Sequence, residues 1–338
     1  MHAKYYNICV KKLINQTEKR GGNMAAQLNV QRRKRTPAQL GKKIILHWQL
    51  YVLIAPALIY YALFHYWPIY GLQIAFRNFV PTLGITGSKW VGLMHLKRFF
   101  NSYYFGMLVR NTFVINLYSL AVGFPVPILL ALMINEVERS GYKRLVQTVL
   151  YAPHFISTVV LCGMICSFLS PSNGLINMII KGFTGREPVN YLGNPRIFKT
   201  IYVLSGVWQS SGWGAIVYIA ALAGIDPELH EAATIDGANR LQRMLHINLP
   251  GIMPTITIMF ILRMGSMMSV GFEKIFLLQN SLNMEASDVI STYVYRIGLQ
   301  NAQYSFSAAV GLFNSVINFA LLLVFNTISK AVGQSRLF

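Results

Sequence analysis

The sequence predicts an all-α membrane protein with six transmembrane helices. Three observations carry that reading. First, 54% of the 338 residues are hydrophobic, the mean hydropathy is +0.43 and 12% are charged; an average soluble protein has roughly 25% charged residues. Second, the charges are lopsided, with 30 Lys and Arg against 11 Asp and Glu and a formal net charge of +19. Third, six stretches are apolar over the ~20 residues that a spanning helix needs. A nucleic-acid binder would carry a basic excess on a polar, charge-rich chain. The apolar content likewise excludes a disordered chain. Cys9, Cys162 and Cys166 are too few and too poorly placed for a disulfide framework.

The predicted spans are 44–67, 111–134, 146–169, 200–224, 251–272 and 306–329. Pro56, Pro125, Pro127 and Pro153 fall inside the first three and predict kinks, whose freed carbonyls neighbouring helices re-satisfy. Residues 1–43 form a basic N-terminal segment, 44–330 the transmembrane domain and 331–338 a short tail. Eleven of the 30 basic residues precede the first span. With that end cytoplasmic, inside segments carry 18 Lys and Arg and outside loops 11. This bias places both termini in the cytoplasm of a multi-pass membrane protein. Only Arg263 remains, inside the fifth span. The N-terminus lacks the short apolar core and small-residue cleavage site of a signal peptide. Arg20-Gly-Gly-Asn-Met24 is compatible with a purine-rich run before a start codon. Met24 is then the start and 1–23 a translated leader, or 1–23 is a true tail.

Several chemistries are missing. No G-x-x-x-x-G-K-[ST] is present, so this chain does not bind ATP through a P-loop. H-E-x-x-H and G-x-S-x-G are also absent. Cys162 and Cys166 share a face of span three as packing residues, with no His or third Cys to complete a metal site. His47, His65, His95 and His154 lie near span ends, where an amphipathic ring is comfortable.

The predicted cytoplasmic segment 225–250 is the most informative. Asp226 suits an N-cap and Pro227 the first helical position, while Glu228 and Glu231 complement the positive helix start. A helix is expected over 227–236. Gly237 breaks it with a tight turn, and a second helix follows with Leu241 and Leu245 on one face before Pro250 opens span five. Ala232 and Ala233 permit close approach by another protein. A plain helical hairpin connecting two spans is the simpler account. A DNA-binding helix-turn-helix fails on charge, because the loop carries two basic and four acidic residues.

Glu231-Ala232-Ala233, three residues, Gly237, nine residues, Ile247, one residue and Leu249-Pro250 resemble the EAA signature of the membrane subunits of binding-protein-dependent ABC importers. Further stretches resemble the sugar-importing branch: Pro68-Ile-Tyr-Gly-Leu-Gln-Ile-Ala-Phe76, Val146-Gln-Thr, Pro153-His-Phe-Ile156, Leu169-Ser-Pro-Ser172, Gly224-Ile-Asp-Pro227 and Thr292-Tyr-Val-Tyr-Arg296. They are most similar to permeases of oligosaccharide importers related to maltose-type systems, without the extra N-terminal spans of one maltose-type subunit. The resemblance implies a type I ABC importer permease fold with a cytoplasmic coupling helix. It implies that Glu231, Ala232, Ala233, Asp236, Gly237, Ile247, Leu249 and Pro250 form the ATPase-coupling segment. The implied partners are a second homologous permease, two ATPase subunits that bind ATP and Mg, a lipid-anchored external solute-binding protein and an oligosaccharide. This chain itself would need no cofactor and catalyse nothing. A membrane-embedded enzyme and a passive channel subunit are the alternatives.

A sugar path needs aromatic rings and uncharged polar groups. Span four carries Trp208-Gln209-Ser210-Ser211-Gly212-Trp213-Gly214, and polar groups in a span normally face the bundle interior. Trp208, Gln209 and Trp213 are therefore path candidates, although Gly212 and Gly214 equally suit close helix packing. Arg263, at a cost of at least ~2.5 kcal/mol in a span, must be paired or wet. It lines the path and binds hydroxyls or a uronate carboxylate, or it bonds carbonyls across a subunit interface. Ser266 and Ser269 follow it. Asn314 and Asn318 share a face of span six and line the path or join helices. The outer loops 170–199 and 273–305 read as solvated turns that can also serve as a docking vestibule.

Overall fold

A computed structural model describes residues 46 and 48–331. The basic segment 1–43, the alternative start at Met24 and the tail after Ala331 lie outside the described residues. The chain divides into two compact units after Tyr70. In the first, α1 (Trp48–Tyr61) runs through Pro56 without ending there and widens into a π-helical turn, Ala62–Tyr66.

The second unit is helical apart from an antiparallel pair, β1 (Arg77–Asn78) and β2 (Lys89–Trp90). Beside the short turns of helix at Gly84–Gly87, Leu249–Gly251 and Met284–Ser287, the helices are α2 (Met94–Phe100), α3 (Phe105–Gly123), α4 (Pro125–Asn135), α5 (Ser140–Tyr151) and α6 (Thr158–Phe168). There follow α7 (Leu175–Thr184), α8 (Pro195–Leu222), α9 (Pro227–Ile235), α10 (Arg240–Arg243) and α11 (Met253–Met264). The last three are α12 (Phe272–Leu278), α13 (Ile290–Tyr295) and α14 (Tyr304–Ala331).

Among the described residues each predicted span overlaps helix, with 265–271 of the fifth outside it, but the spans differ in kind. Among the described residues, three helical stretches are long and apolar enough to cross a membrane, or five if each of two bent pairs counts as one. Residues 105–135 are one such stretch, and Pro125 and Pro127 occupy the first turn of α4 rather than a helix interior. The third predicted span is not a kinked rod. The chain turns by 92° between residues 140–155 and 158–168, where Pro153 lies in a 3-10 turn and Ser157 re-caps α6 by accepting the Val160 N–H. The fifth bends by 59° near Ile252. The 28-residue α8 is long enough but less apolar, because its centre is the Trp208–Trp213 run.

The segment 273–305 departs from its expectation. It is not a run of solvated turns: Ile275, Leu278, Ser287, Asp288, Val289, Ile290, Thr292 and Tyr293 are buried. They join cores with α2, α3 and α14 (Phe99, Leu108, Phe306, Val310) and with Ile115. A second core lies at the other end of α8, where Tyr218 and Leu222 pack on Ile128 and Leu132 of α4 and on Ile252.

α8 is the axis of this unit. Asn194 caps it by accepting the Arg196 N–H, and Pro195 fixes its first turn. Gly212 packs directly on the Leu150 carbonyl of α5, so a Cβ there would collide with backbone. Gly214 lies against Pro127. The close-packing role predicted for the glycines is realised at Gly212.

Candidate functional site: a membrane cavity and an exposed helical knob

A cavity of about 440 Å³ lies against the middle of α8. Tyr202, Gly206, Gln209, Ser210, Trp213 and Tyr218 of α8 line one wall. Ser119, Phe124 and Pro127 of α3 and α4 line another, and Met259, Arg263 and Lys274 close it. Intervals of three and four residues place Tyr202, Gly206, Gln209, Ser210 and Trp213 on one helix face, while Tyr218, five residues past Trp213, lies off that stripe and still touches the cavity. Trp213 stacks on His154 with ring centroids 4.6 Å apart and planes 5° from parallel. The Gln209 amide donates to the Ile156 carbonyl at 2.9 Å, which fixes the side chain at the bend between α5 and α6.

The electrostatics are one-sided. Arg263 and Lys274 line the cavity and no carboxylate does. The ion pairs among the described residues are Lys181–Glu187, Arg240–Glu138 and Arg296–Asp288, so neither cation has an acidic partner there. Lys274 is 8% exposed, and lysine is almost never fully buried without a partner. Its ammonium donates to the Tyr202 carbonyl at 3.0 Å and has room because position 206 is Gly.

Three predicted path residues meet here: Gln209, Trp213 and Arg263. Four do not. Trp208 lies off the cavity wall, 51% exposed, because five residues turn a helix by roughly 140° relative to Trp213. The Ser266 hydroxyl donates back to the Arg263 carbonyl, and Ser269 accepts from the Asn318 amide at 2.8 Å. The first hydroxyl is thus engaged within the turn after α11 and the second by α14. Asn314 lies on α14 away from this wall, and its side-chain oxygen is buried without a hydrogen-bond partner. Asn318, which also accepts the Met268 N–H at 2.7 Å, joins helices as one of its two expected roles required. Lys274, Tyr202 and Tyr218 escaped the sequence reading. Their only signals were a lysine just past a span and two tyrosines flanking the polar run, six residues before Trp208 and four after Gly214.

The 225–250 segment projects as a knob. Asp226 caps α9 by accepting the Glu228 N–H at 3.0 Å. Gly237 has φ +78° and ends the helix with the Ala238 N–H bonded to the Ala233 carbonyl at 2.9 Å. Asn239 and Gln242 form a reciprocal capping box that starts α10. The chain then widens into a π-helical turn, Met244–Asn248, containing Ile247, before Leu249 and Pro250 re-enter α-helix. α9 has no buried residue, and Ile235 is 86% exposed. Glu231, Ala232, Asp236 and Gly237 are exposed beside it and Ala233 is half-buried. The base is tied to the turn after α4: Arg240 pairs with Glu138 at 2.6 Å, and the buried Asn248 donates to Glu136 at 3.2 Å.

Comparison with known proteins fits this layout. Residues 123–334 match the family described as binding-protein-dependent transport system inner membrane component. The chain is 43% identical over 296 residues to the polygalacturonan/rhamnogalacturonan transport system permease protein YteP of Bacillus subtilis (strain 168), covering 88% of this chain and 92% of that one. It is similar to the crystal structure of a bacterial ABC transporter involved in the import of the acidic polysaccharide alginate, with a TM-score of 0.80, 42% identity, and 87% and 99% of the two chains covered. It is also similar to a bacterial alginate ABC transporter in complex with alginate pentasaccharide-bound periplasmic protein, with a TM-score of 0.81, 41% identity, and 88% and 100% covered.

Proposed function

The chain belongs to the family of binding-protein-dependent transport system inner membrane components, and from that premise we propose that it is the permease subunit through which an ATP-driven importer moves a carboxylated oligosaccharide. It is a multi-pass membrane protein and a transport subunit, not an enzyme. The observation that carries the substrate class is the cavity wall, with two cations, no carboxylate and the rings of Tyr202, Trp213 and Tyr218. Rings stack on sugar faces. Arg263 offers a bidentate fork for a carboxylate, and Lys274 a compact charge. The relatives named for polygalacturonan, rhamnogalacturonan and alginate transport support an acidic sugar.

In this proposal an external binding protein delivers the sugar and a second, homologous permease completes the path. Two ATPase subunits bind ATP and Mg, and this chain needs no cofactor. The 225–250 knob is cytoplasmic, as are both termini, in the bacterial plasma membrane. Glu231, Ala232, Ala233, Asp236 and Gly237 contact the ATPase, while Ile247, Leu249 and Pro250 join that contact to α11. Closure of the ATPase pair on ATP draws the knobs together and opens the cavity outward; hydrolysis resets it inward, a rigid-body alternation between two states. The exposed Ile235 and Leu229 supply an apolar surface for that contact.

The test is uptake into proteoliposomes containing the complete transporter with its binding protein and internal ATP. Trigalacturonate and trimannuronate are compared with their methyl esters. ATP-dependent uptake of a free acid in preference to its ester is the expected result. Transport of neither acid, or equal transport of acid and ester, would overturn the substrate class.

A further inference from the structure

A second concavity gathers charge of one sign. It measures about 1060 Å³ and lies between the first turns of α3 and α8. Arg110, Arg196 and Lys199 line it, and Glu285 is its sole carboxylate. None of the three cations forms an ion pair among the described residues. Lone surface cations are ordinarily solvated and turned outward, whereas these three converge on one concave wall. Lys199 is moreover held in place: its ammonium donates to the Asn111 side-chain oxygen at 3.0 Å. Asn111 is buried, and its amide donates to the Glu285 and Asp288 carbonyls at 2.8 and 3.0 Å. Like charges lining one concavity repel one another, and an anion between them relieves that repulsion.

Position gives the cluster a meaning. α8 has 28 residues and is therefore about 42 Å long. The cluster sits at its first turn, and the 225–250 knob follows its last. Lys199 also precedes Tyr202, Gly206, Ser210 and Trp213 at helical intervals of three and four, so it shares their face. The outer concavity and the central cavity thus lie along one face of one helix, with cations at both levels. Tyr103, 93% exposed, adds a ring at the outer rim.

We propose that this outer concavity is a reception site for acidic sugars, in which Arg110, Arg196 and Lys199 take the carboxylates of the oligosaccharide released by the binding protein and pass it toward Lys274 and Arg263. This rests on the carboxylated-oligosaccharide reading above and on the inside position of the knob. Glu285 repels a carboxylate and directs it to the cationic wall.

The experiment uses the assembled transporter in proteoliposomes with its binding protein. The single variants Arg110→Gln, Arg196→Gln and Lys199→Gln are compared with the triple variant, trigalacturonate and trimannuronate being the probes. Each lost charge-assisted contact should raise the apparent KM for a transported acid roughly tenfold, while maximal uptake and uptake of any transported methyl ester stay within twofold. Co-sedimentation with the sugar-free binding protein should be unchanged. Unchanged KM in the correctly assembled triple variant overturns the reception site. So does a loss confined to binding-protein affinity, which would make the cluster a protein contact. Failure of the unmodified transporter to move either acid instead overturns the underlying substrate reading. Should the triple variant fail to assemble, the single variants, each exposed or half-buried at its side chain, decide the matter.

Discussion

The Lys274 ammonium donates to the Tyr202 carbonyl at 3.0 Å and stands 5.0 Å from the centre of the Tyr202 ring. One α8 residue therefore supplies both a backbone acceptor and a π-face to a buried cation that no carboxylate neutralises. A carbonyl and a ring hold an ammonium in place without cancelling its charge, which leaves it available to an arriving anion. Lys274→Gln should raise the KM for a carboxylated oligosaccharide roughly tenfold, the equivalent of a charged hydrogen bond worth about 1.5 kcal/mol. Ester uptake should change little. Gly206→Val, which crowds the ammonium from 3.2 Å, should reproduce the effect with the charge intact. Equal kinetics for acid and ester in both variants would remove Lys274 from the path.

At Gly237 the backbone is left-handed, φ +78°, and a Cβ would meet nothing within 4 Å. The constraint there is conformational and not steric. A β-branched residue pays about 1–2 kcal/mol for that conformation, whereas Asn tolerates it. Gly237→Val should abolish binding-protein-stimulated ATP hydrolysis and uptake while membrane insertion persists, and Gly237→Asn should retain both. Glu231→Lys, exposed on the same knob, should behave like Gly237→Val. Normal transport by Gly237→Val and Glu231→Lys would refute the coupling role.

Gly212 and Gly214 look alike in sequence and differ in structure. A Cβ on Gly212 would run into the Leu150 carbonyl, whereas one on Gly214 would sit 3.4 Å from Pro127 side-chain carbons. Gly212→Ala forces α5 and α8 apart and should destabilise by about 1–3 kcal/mol, the range for overpacking. Gly214→Ala should cost much less. Thermal unfolding of the detergent-solubilised transporter distinguishes them; equal melting temperatures would show that the helix pair yields freely.

Much of this organisation was legible because it is local. Apolar runs mark where the long helices form, though three to five of the six pass as membrane-crossing by length and composition among the described residues, and the residues from Asp226 to Pro250 mark the knob, its cap and its Gly237 turn. The bend after Pro153 was legible as a disturbance, but not its size, since that depends on Ser157 re-capping the next helix. The cavity was half legible. Periodicity separates Trp213 from Trp208 only once the inward face of α8 is known, and that face is set by packing on α4. Lys274 was legible only as a lysine just past a span, and the Arg110, Arg196 and Lys199 cluster was not legible at all. They come together through segment 273–305, whose polar composition reads as solvated. Its burial rests on hydrogen bonds between residues far apart in sequence, such as the Ile290 N–H to the Thr112 hydroxyl across 178 residues and the Phe79 N–H to the Ser305 hydroxyl across 226.

That buried segment turns on one ion pair. Arg296 donates to both Asp288 carboxylate oxygens, at 2.5 and 3.3 Å, and the Thr292 hydroxyl donates to one of them at 2.8 Å. The Asp288 side chain is 2% exposed and that of Arg296 29%. Removing the partner of a buried carboxylate leaves an uncompensated charge, at a cost of roughly 3–5 kcal/mol. Arg296→Gln should therefore lower the melting temperature sharply. Adding Asp288→Asn should recover a large part of the loss, because the charge is then gone while the Thr292 bond can persist. The Asp288 carbonyl also holds the Asn111 amide that orients Lys199. Arg296→Gln should accordingly weaken uptake of carboxylated sugar beyond what its lower stability explains, and the double variant should restore it in step with stability. An Arg296→Gln transporter as stable as the parent would show that water reaches Asp288 and that the pair does not organise the segment.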